Sequence, residues 1–190
     1  MNGELKKNFG SLKRRPFLTP LWLTVLAGLI VVSFAAWFWI SLDATTVIVI
    51  RHAEKLLDGS ADPPLAAAGE ARAVLLAKLF GDPKSPGHID AIYVSPTRRS
   101  QSTAAPLASR LGLTPRVEAQ DDPPALVRRV LRDNPGARVL IVGHSDTAPA
   151  IVAALTGRRD LPAMDAEDFG TMYVVTVPRL GPPMLLRLNY

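Results

Sequence analysis

Two short β-branched runs end in the same way. Val47-Ile48-Val49-Ile50 leads into Arg51-His52, and Val139-Leu140-Ile141-Val142 leads into Gly143-His144. The chain has three histidines, and two of them stand at the exits of what read as buried parallel strands, where open α/β sheets bind their ligands. A third run, Ala91 to Val94, is followed by Ser95-Pro96-Thr97-Arg98-Arg99 and brings another guanidinium to the same edge. Together these residues describe an anion pocket that contains a nucleophile. The arginine fork stays protonated and binds two oxygens at once. Neutral imidazole is nucleophilic near pH 7 when one ring nitrogen is held as a donor and the other is left free. Each residue alone has a plainer role, as a solvated charge or a structural histidine, so the ordered combination carries the reading. His88, in Pro86-Gly87-His88, has no such company and reads as a surface loop residue.

Arg51-His52-Ala53-Glu54-Lys55, then Ser95-Pro96 with Arg99 and Thr103-Ala104, then Gly143-His144-Ser145-Asp146-Thr147 occur in that order, each after an apolar run. These three motifs resemble those of the histidine phosphatase superfamily, in the branch related to phosphoglycerate mutase, and the resemblance runs from Thr45 to Tyr190. It implies a phosphatase that works through a phosphohistidine intermediate on His52, with Arg51, Arg99 and His144 holding the transferring group. It implies no cofactor. Zinc is not expected either: no His-Glu-x-x-His spacing exists, and two flanking arginines repel a cation.

The general acid is the open position. Many members of the family carry a glutamate after the third strand in a tryptophan-containing segment, whereas here Val117-Glu118-Ala119-Gln120-Asp121-Asp122-Pro123-Pro124 passes directly into a helix. Candidates are Asp121 and Asp122, favoured by position, with Glu54, Glu118 and Asp146 as alternatives. Each has a plainer role: Glu54 as partner of Arg51 or Lys55, Asp121 or Asp122 as a helix cap, Asp146 as a turn residue. The missing insertions favour hydrolysis over a mutase reaction. A compact site without a strong acid suits phosphohistidine or acyl phosphates better than sugar phosphates. Arg-His-Ala-Glu-Lys also resembles the start of exported relatives that act on lipopolysaccharide heptose phosphate, so the expected partner is a small sugar phosphate or a phosphoprotein. The alternatives are a phosphoryl-ligand binding or scaffolding module without turnover, and a phosphohistidine protein phosphatase.

The elements that must position these residues alternate between apolar runs and helical patterns, which predicts a three-layer α/β/α sandwich around a mostly parallel sheet. Strands are expected near 45–50, 90–94, 115–118, 138–142, 171–177 and 184–188, and helices near 66–80, 96–111, 123–133 and 147–156. Turn chemistry separates them at Asp62-Pro63-Pro64, Asn134-Pro135-Gly136 and Gly181-Pro182-Pro183. Ser95-Pro96 and Ser145-Asp146-Thr147 read as helix starts beside the crevice, where free N–H groups favour an anion.

Ahead of this domain, residues 1–20 form a basic tail and residues 21–42 an uncharged apolar span. As a helix the span reaches about 33 Å, enough for a hydrocarbon core of about 30 Å. Trp22 at one end and Trp37 and Trp39 near the other fit interfacial belts. Lys6, Lys7, Lys13, Arg14 and Arg15 before the span, with Asp43 after it, place the N-terminus in the cytoplasm and residues 43–190 outside it. The competing reading is a cleaved signal peptide with Ser33-Phe34-Ala35 near its cleavage site, which exports the domain equally. The excess charge belongs to the tail: from residue 21 onward 17 basic residues meet 16 acidic ones, which argues against a nucleic-acid partner. The absence of cysteine excludes a disulfide or thiol nucleophile.

Overall fold

The computed structural model describes residues 20–41, 44–158 and 161–190. The basic tail, Leu42 at the end of the apolar span, and Asp43 lie outside them. The chain divides into two compact units, one up to Phe38 and one from Trp39 onward. The helix α1 (Leu21–Ser41) has no polar face, and its stretch Leu21–Phe38 has no buried residue. It is long and apolar enough to cross a membrane.

In the second unit the order is β1 (Ala44–Arg51), α2 (Ala67–Phe80), β2 (Ala91–Val94), α3 (Arg98–Leu111), β3 (Arg116–Val117), α4 (Pro123–Asp133), β4 (Arg138–Gly143), α5 (Thr147–Thr156), β5 (Thr171–Pro178) and β6 (Met184–Asn189). The expected three-layer sandwich is present. Its single sheet has the strand order β3-β2-β4-β1-β5-β6 and is mixed: β5 runs antiparallel to both its neighbours, while the other five strands share one direction.

Strict alternation along the central strands builds two cores. Val47, Val49, Tyr93, Val139 and Ile141 face α4 and α5, meeting Leu126, Val130, Ile151 and Val152. Ile48, Ile50, Ile92, Val94, Leu140 and Val142 face α2 and α3, meeting Leu76, Ala104 and Leu107. Strands buried on both faces read as continuous β-branched runs, which is why the sequence displays them so plainly.

Register then levels the strand ends. Ile50 and Arg51 of β1 pair with Val142 and Gly143 of β4, and Val94 of β2 pairs with Val142 as well. The His52 amide donates to the Gly143 carbonyl at 2.9 Å, and the Ser95 amide to that of Val142 at 3.4 Å. The three motifs therefore leave the sheet side by side.

One expected helix start differs. Helix α3 begins at Arg98, two residues after Pro96, and Thr97 at its N-cap position makes no side-chain cap. Asp62, 36 residues earlier, caps it instead: both carboxylate oxygens accept from the Arg98 amide, at 3.1 and 3.0 Å. Ser95, Thr97 and Ser100 bond to one another through their hydroxyls. By contrast Asp146 and Asp122 serve their own helices, accepting from the amides of Thr147 at 2.8 Å and Ala125 at 3.0 Å.

The fully buried Ile141 in the central strand makes the depth of this core measurable. Ile141→Ala is expected to cost about 2–5 kcal/mol in urea denaturation, as buried large-to-small substitutions do. The same truncation at the half-exposed Leu188 of the edge strand β6 should cost much less.

Candidate active site

Arg51, His52, Arg99 and His144 converge. The His52 and His144 rings lie 5.3 Å apart in an edge arrangement with 66° between their planes. Each histidine feels the positive charge of both arginines, and Arg99 also opposes the charge on Arg51.

His52 is buried, and its Nδ1 lies 2.8 Å from the carbonyl of Ala53. A carbonyl only accepts, so Nδ1 carries the ring proton and Nε2 keeps its lone pair. The Ala53 amide in turn donates to the hydroxyl of Thr103 at 3.0 Å, and that hydroxyl donates to the Arg99 carbonyl at 2.7 Å. Thr103 thus ties the strand end carrying His52 to the first turn of α3 carrying Arg99. Burial pushes the His52 imidazole down from 6.5 to about 4, against the opposing effect of the Ala53 hydrogen bond; His144, Arg99 and Arg51 push the same way as burial. His144 is also lowered, by burial first and then by Arg99, with Asp146 opposing.

Arg51 is buried and clamped. Its Nη1 donates to the carbonyls of Asp165 at 3.0 Å, Ala166 at 2.8 Å and Asp168 at 3.4 Å, and its guanidinium carbon sits 4.2 Å over the centre of the Phe169 ring. Burial lowers its proton affinity, with Asp168 opposing. Arg51 Nε and Arg99 Nε are both buried and have no hydrogen-bond partner among the described residues. A buried donor left unpaired costs about 1–3 kcal/mol, and an oxyanion beside these two guanidinium groups recovers it.

His144 is held from behind. The hydroxyl of Thr147 accepts from the His144 amide at 2.8 Å and donates to Oε1 of Gln120 at 3.2 Å, while Gln120 Nε2 donates to the Val142 carbonyl at 3.1 Å. Gly143 makes this approach possible, since a Cβ there would stand 2.8 Å from both Gln120 Oε1 and Thr147 Oγ1.

The carboxylates named from the sequence have other partners. Glu54 is gripped by Arg72, whose Nη2 lies 2.7 Å from Oε1, and that hydrogen bond lowers its proton affinity. Glu118 pairs with Arg129 at 2.6 Å. Asp122 and Asp146 are helix caps. Asp121 is exposed and has no side-chain partner among the described residues. The carboxylate that does contact the cluster is Asp62, 3.4 Å from Nη1 of Arg99. Sequence reasoning named Asp62 only as a turn residue and did not single out Thr103, Thr147, Gln120 or the 165–169 segment as supports. The adjacency of Gln120 to the acid candidates was the one local hint. His88 lies in a loop as expected, with Nε2 3.0 Å from Asp90.

A histidine buried in neutral form makes stability depend on pH. The unfolded chain takes up the His52 proton near 6.5 and the folded chain only near 4, so stability is fully present above 6.5 and falls as pH drops through that window. The loss reaches roughly 3 kcal/mol at about 1.4 kcal/mol per pH unit. Urea unfolding of the His52→Gln protein in phosphate-free buffer should show a shallower decline between pH 6.5 and 4.5 than the wild type.

The family model of the histidine phosphatase superfamily (branch 1) matches residues 47–121, which include Arg51, His52 and Arg99. No curated protein sequence matches the chain significantly. Among solved structures, a protein histidine phosphatase SixA complexed with tungstate is similar at 22% identity and a TM-score of 0.60, over 76% of this chain and 96% of that one. A mycobacterial glucosyl-3-phosphoglycerate phosphatase is similar at 17% identity and a TM-score of 0.61, over 77% and 99%. Its complex with inorganic phosphate gives 18% and 0.57, over 76% and 96%. At these identities the structural likeness establishes the fold, and the sequence match covers the first half of that fold. With the motif residues of that match brought together at one sheet edge, residues 47–121 match branch 1 of the histidine phosphatase superfamily, and that match on a fold shared with phosphatases supports a histidine-type phosphatase.

Proposed function

We propose that this phosphatase hydrolyses a phosphomonoester or related phosphoryl compound through a phosphohistidine on Nε2 of His52, and that it works outside the cytoplasmic membrane while anchored by α1. The observation that carries the reading is the state of His52: its Nδ1 is spent on the Ala53 carbonyl, and two guanidinium groups with unpaired buried N–H groups stand in the same cluster. In-line attack needs a nucleophilic lone pair and positive charge on the equatorial oxygens, and this arrangement offers both. The His52 Nε2–P bond forms as the P–O bond to the leaving group breaks, and the departing oxygen takes a proton. Water then attacks phosphorus, the N–P bond breaks, and inorganic phosphate leaves. Arg51, Arg99 and His144 stabilise the transferring group in both steps.

The similar structures act on a phosphorylated protein histidine in one case and a sugar-derived phosphate in another, by their names. Both substrate classes fit the pocket chemistry, and a sugar phosphate such as lipopolysaccharide heptose phosphate fits an exported domain. The apolar helix and the basic flank before it support the anchored, outward-facing arrangement. A topology reporter fused after Tyr190 should read outside the cytoplasm; a cytoplasmic signal would discard the location.

His52→Ala should abolish turnover and leave the fold intact, because the side chain belongs to neither hydrophobic core. Brief exposure of the wild type to labelled substrate should trap phosphate in an acid-labile, base-stable form, and full activity in His52→Ala would remove the proposed intermediate. Arg99→Lys should lose roughly 2–4 kcal/mol of transition-state stabilisation, or about 30- to 1,000-fold in kcat, since an ammonium cannot reproduce the fork. Arg98→Lys should not approach that loss.

A further inference from the structure

We propose that Asp62 is the proton donor to the leaving oxygen, placed there by a loop that folds back from the end of β1 onto the start of α3. The inference rests on the phosphohistidine reading above and supplies the acid which that mechanism requires.

The loop is a built element. Lys55 and Leu65 form an antiparallel bridge, the Ala66 amide donates to the Glu54 carbonyl at 2.9 Å, and the Leu56 amide to that of Pro64 at 2.9 Å. Ala53, Leu65 and Ala73 make a small core beneath it. Gly69 lets the first turn of α2 sit against the Glu54 carbonyl, where a Cβ would collide with it. From this base the loop presents Asp62 to α3, where both carboxylate oxygens are fixed by the Arg98 amide and Oδ1 also reaches Nη1 of Arg99 at 3.4 Å. Among the described residues, Asp62 is the one carboxylate within ion-pair distance of any of Arg51, His52, Arg99 and His144. Its negative charge is also felt by His144. The side chain is 40% exposed, a position open to solvent into which a leaving alcohol departs.

A phosphoryl dianion bound by Arg51 and Arg99 takes over Nη1 of Arg99 and leaves the Asp62 carboxyl free to turn toward the leaving oxygen. As His52 attacks and the P–O bond breaks, the Asp62 proton passes to the departing oxygen and the alcohol leaves. In the second step water attacks phosphorus, its proton goes to the Asp62 carboxylate, and the N–P bond breaks. The acid is thereby restored.

The test compares leaving groups in the full chain, solubilised in detergent. Asp62→Asn keeps the shape and an oxygen to cap Arg98 but has no proton to give. Its kcat on an alkyl phosphate should fall about 100-fold or more, the range of general-acid catalysis, and on an aryl phosphate only several-fold, because a good leaving group needs little protonation. Formation of labelled phosphohistidine from the aryl substrate should persist. Equal losses on both substrates would assign Asp62 to positioning Arg99 and overturn the proposal, as would unchanged alkyl turnover. Selective alkyl loss in Asp121→Asn or Asp122→Asn, with none in Asp62→Asn, would overturn it in favour of those residues. If the wild type traps no phosphohistidine from either substrate, the underlying intermediate fails, and that outcome differs from all the others.

Discussion

Two guanidinium groups and two imidazoles held at one sheet edge repel one another, and nearly everything around them answers that repulsion. The imidazoles answer it by staying neutral, since burial and the neighbouring arginines both drive their proton affinity down. Arg51 keeps its charge, so its surroundings must compensate, and three carbonyls from residues 165–168 with the face of Phe169 do so. Arg99 is answered by Asp62. The rigidity needed to keep such a cluster from relaxing comes from strands fully buried on both faces, whose register leaves no freedom to slide. An anion entering this site meets groups already oriented, so little of its binding energy goes into rearranging them.

The direction of β5 is part of the same solution. Five strands run one way, and the basic cluster lies beyond the C-terminal ends of three of them, β1, β2 and β4. Because β5 runs against them, it starts at the site edge, and the chain arriving at Thr171 has just passed the cluster. The segment 165–169 supplies its carbonyls and its ring on that approach. A parallel β5 would begin at the far end of the sheet and leave Arg51 without a lining.

Much of this was legible in the sequence. The central strands lie within a residue or two of where their β-branched runs place them, and α2, α4 and α5 likewise, because burial on both faces or on one helical stripe leaves a local pattern. The convergence of Arg51, His52, Arg99 and His144 was legible because each stands at or soon after a strand end and falls in a recognisable motif. The supports were not. Asp62 meets Arg98 and Arg99 across 36 and 37 residues, and Asp165, Ala166 and Asp168 meet Arg51 across 114 to 117. Backbone carbonyls carry no sequence signature at all. The start of α3 was misplaced for the same reason: its cap comes from a distant loop, so Ser95-Pro96 advertised a local start that the chain does not use.

The clamp on Arg51 also has a consequence for biosynthesis. Arg51 leaves the ribosome more than a hundred residues before the carbonyls that accept from it. Through most of translation the guanidinium therefore has no lining, and the histidine beside it belongs to a sheet still missing β5, the neighbour on the other flank of β1. The completed cluster arrives near the end of synthesis, as a late event in the life of each molecule. A chain cut short ahead of residue 165 thus carries Arg51 with none of the carbonyls that accept from it.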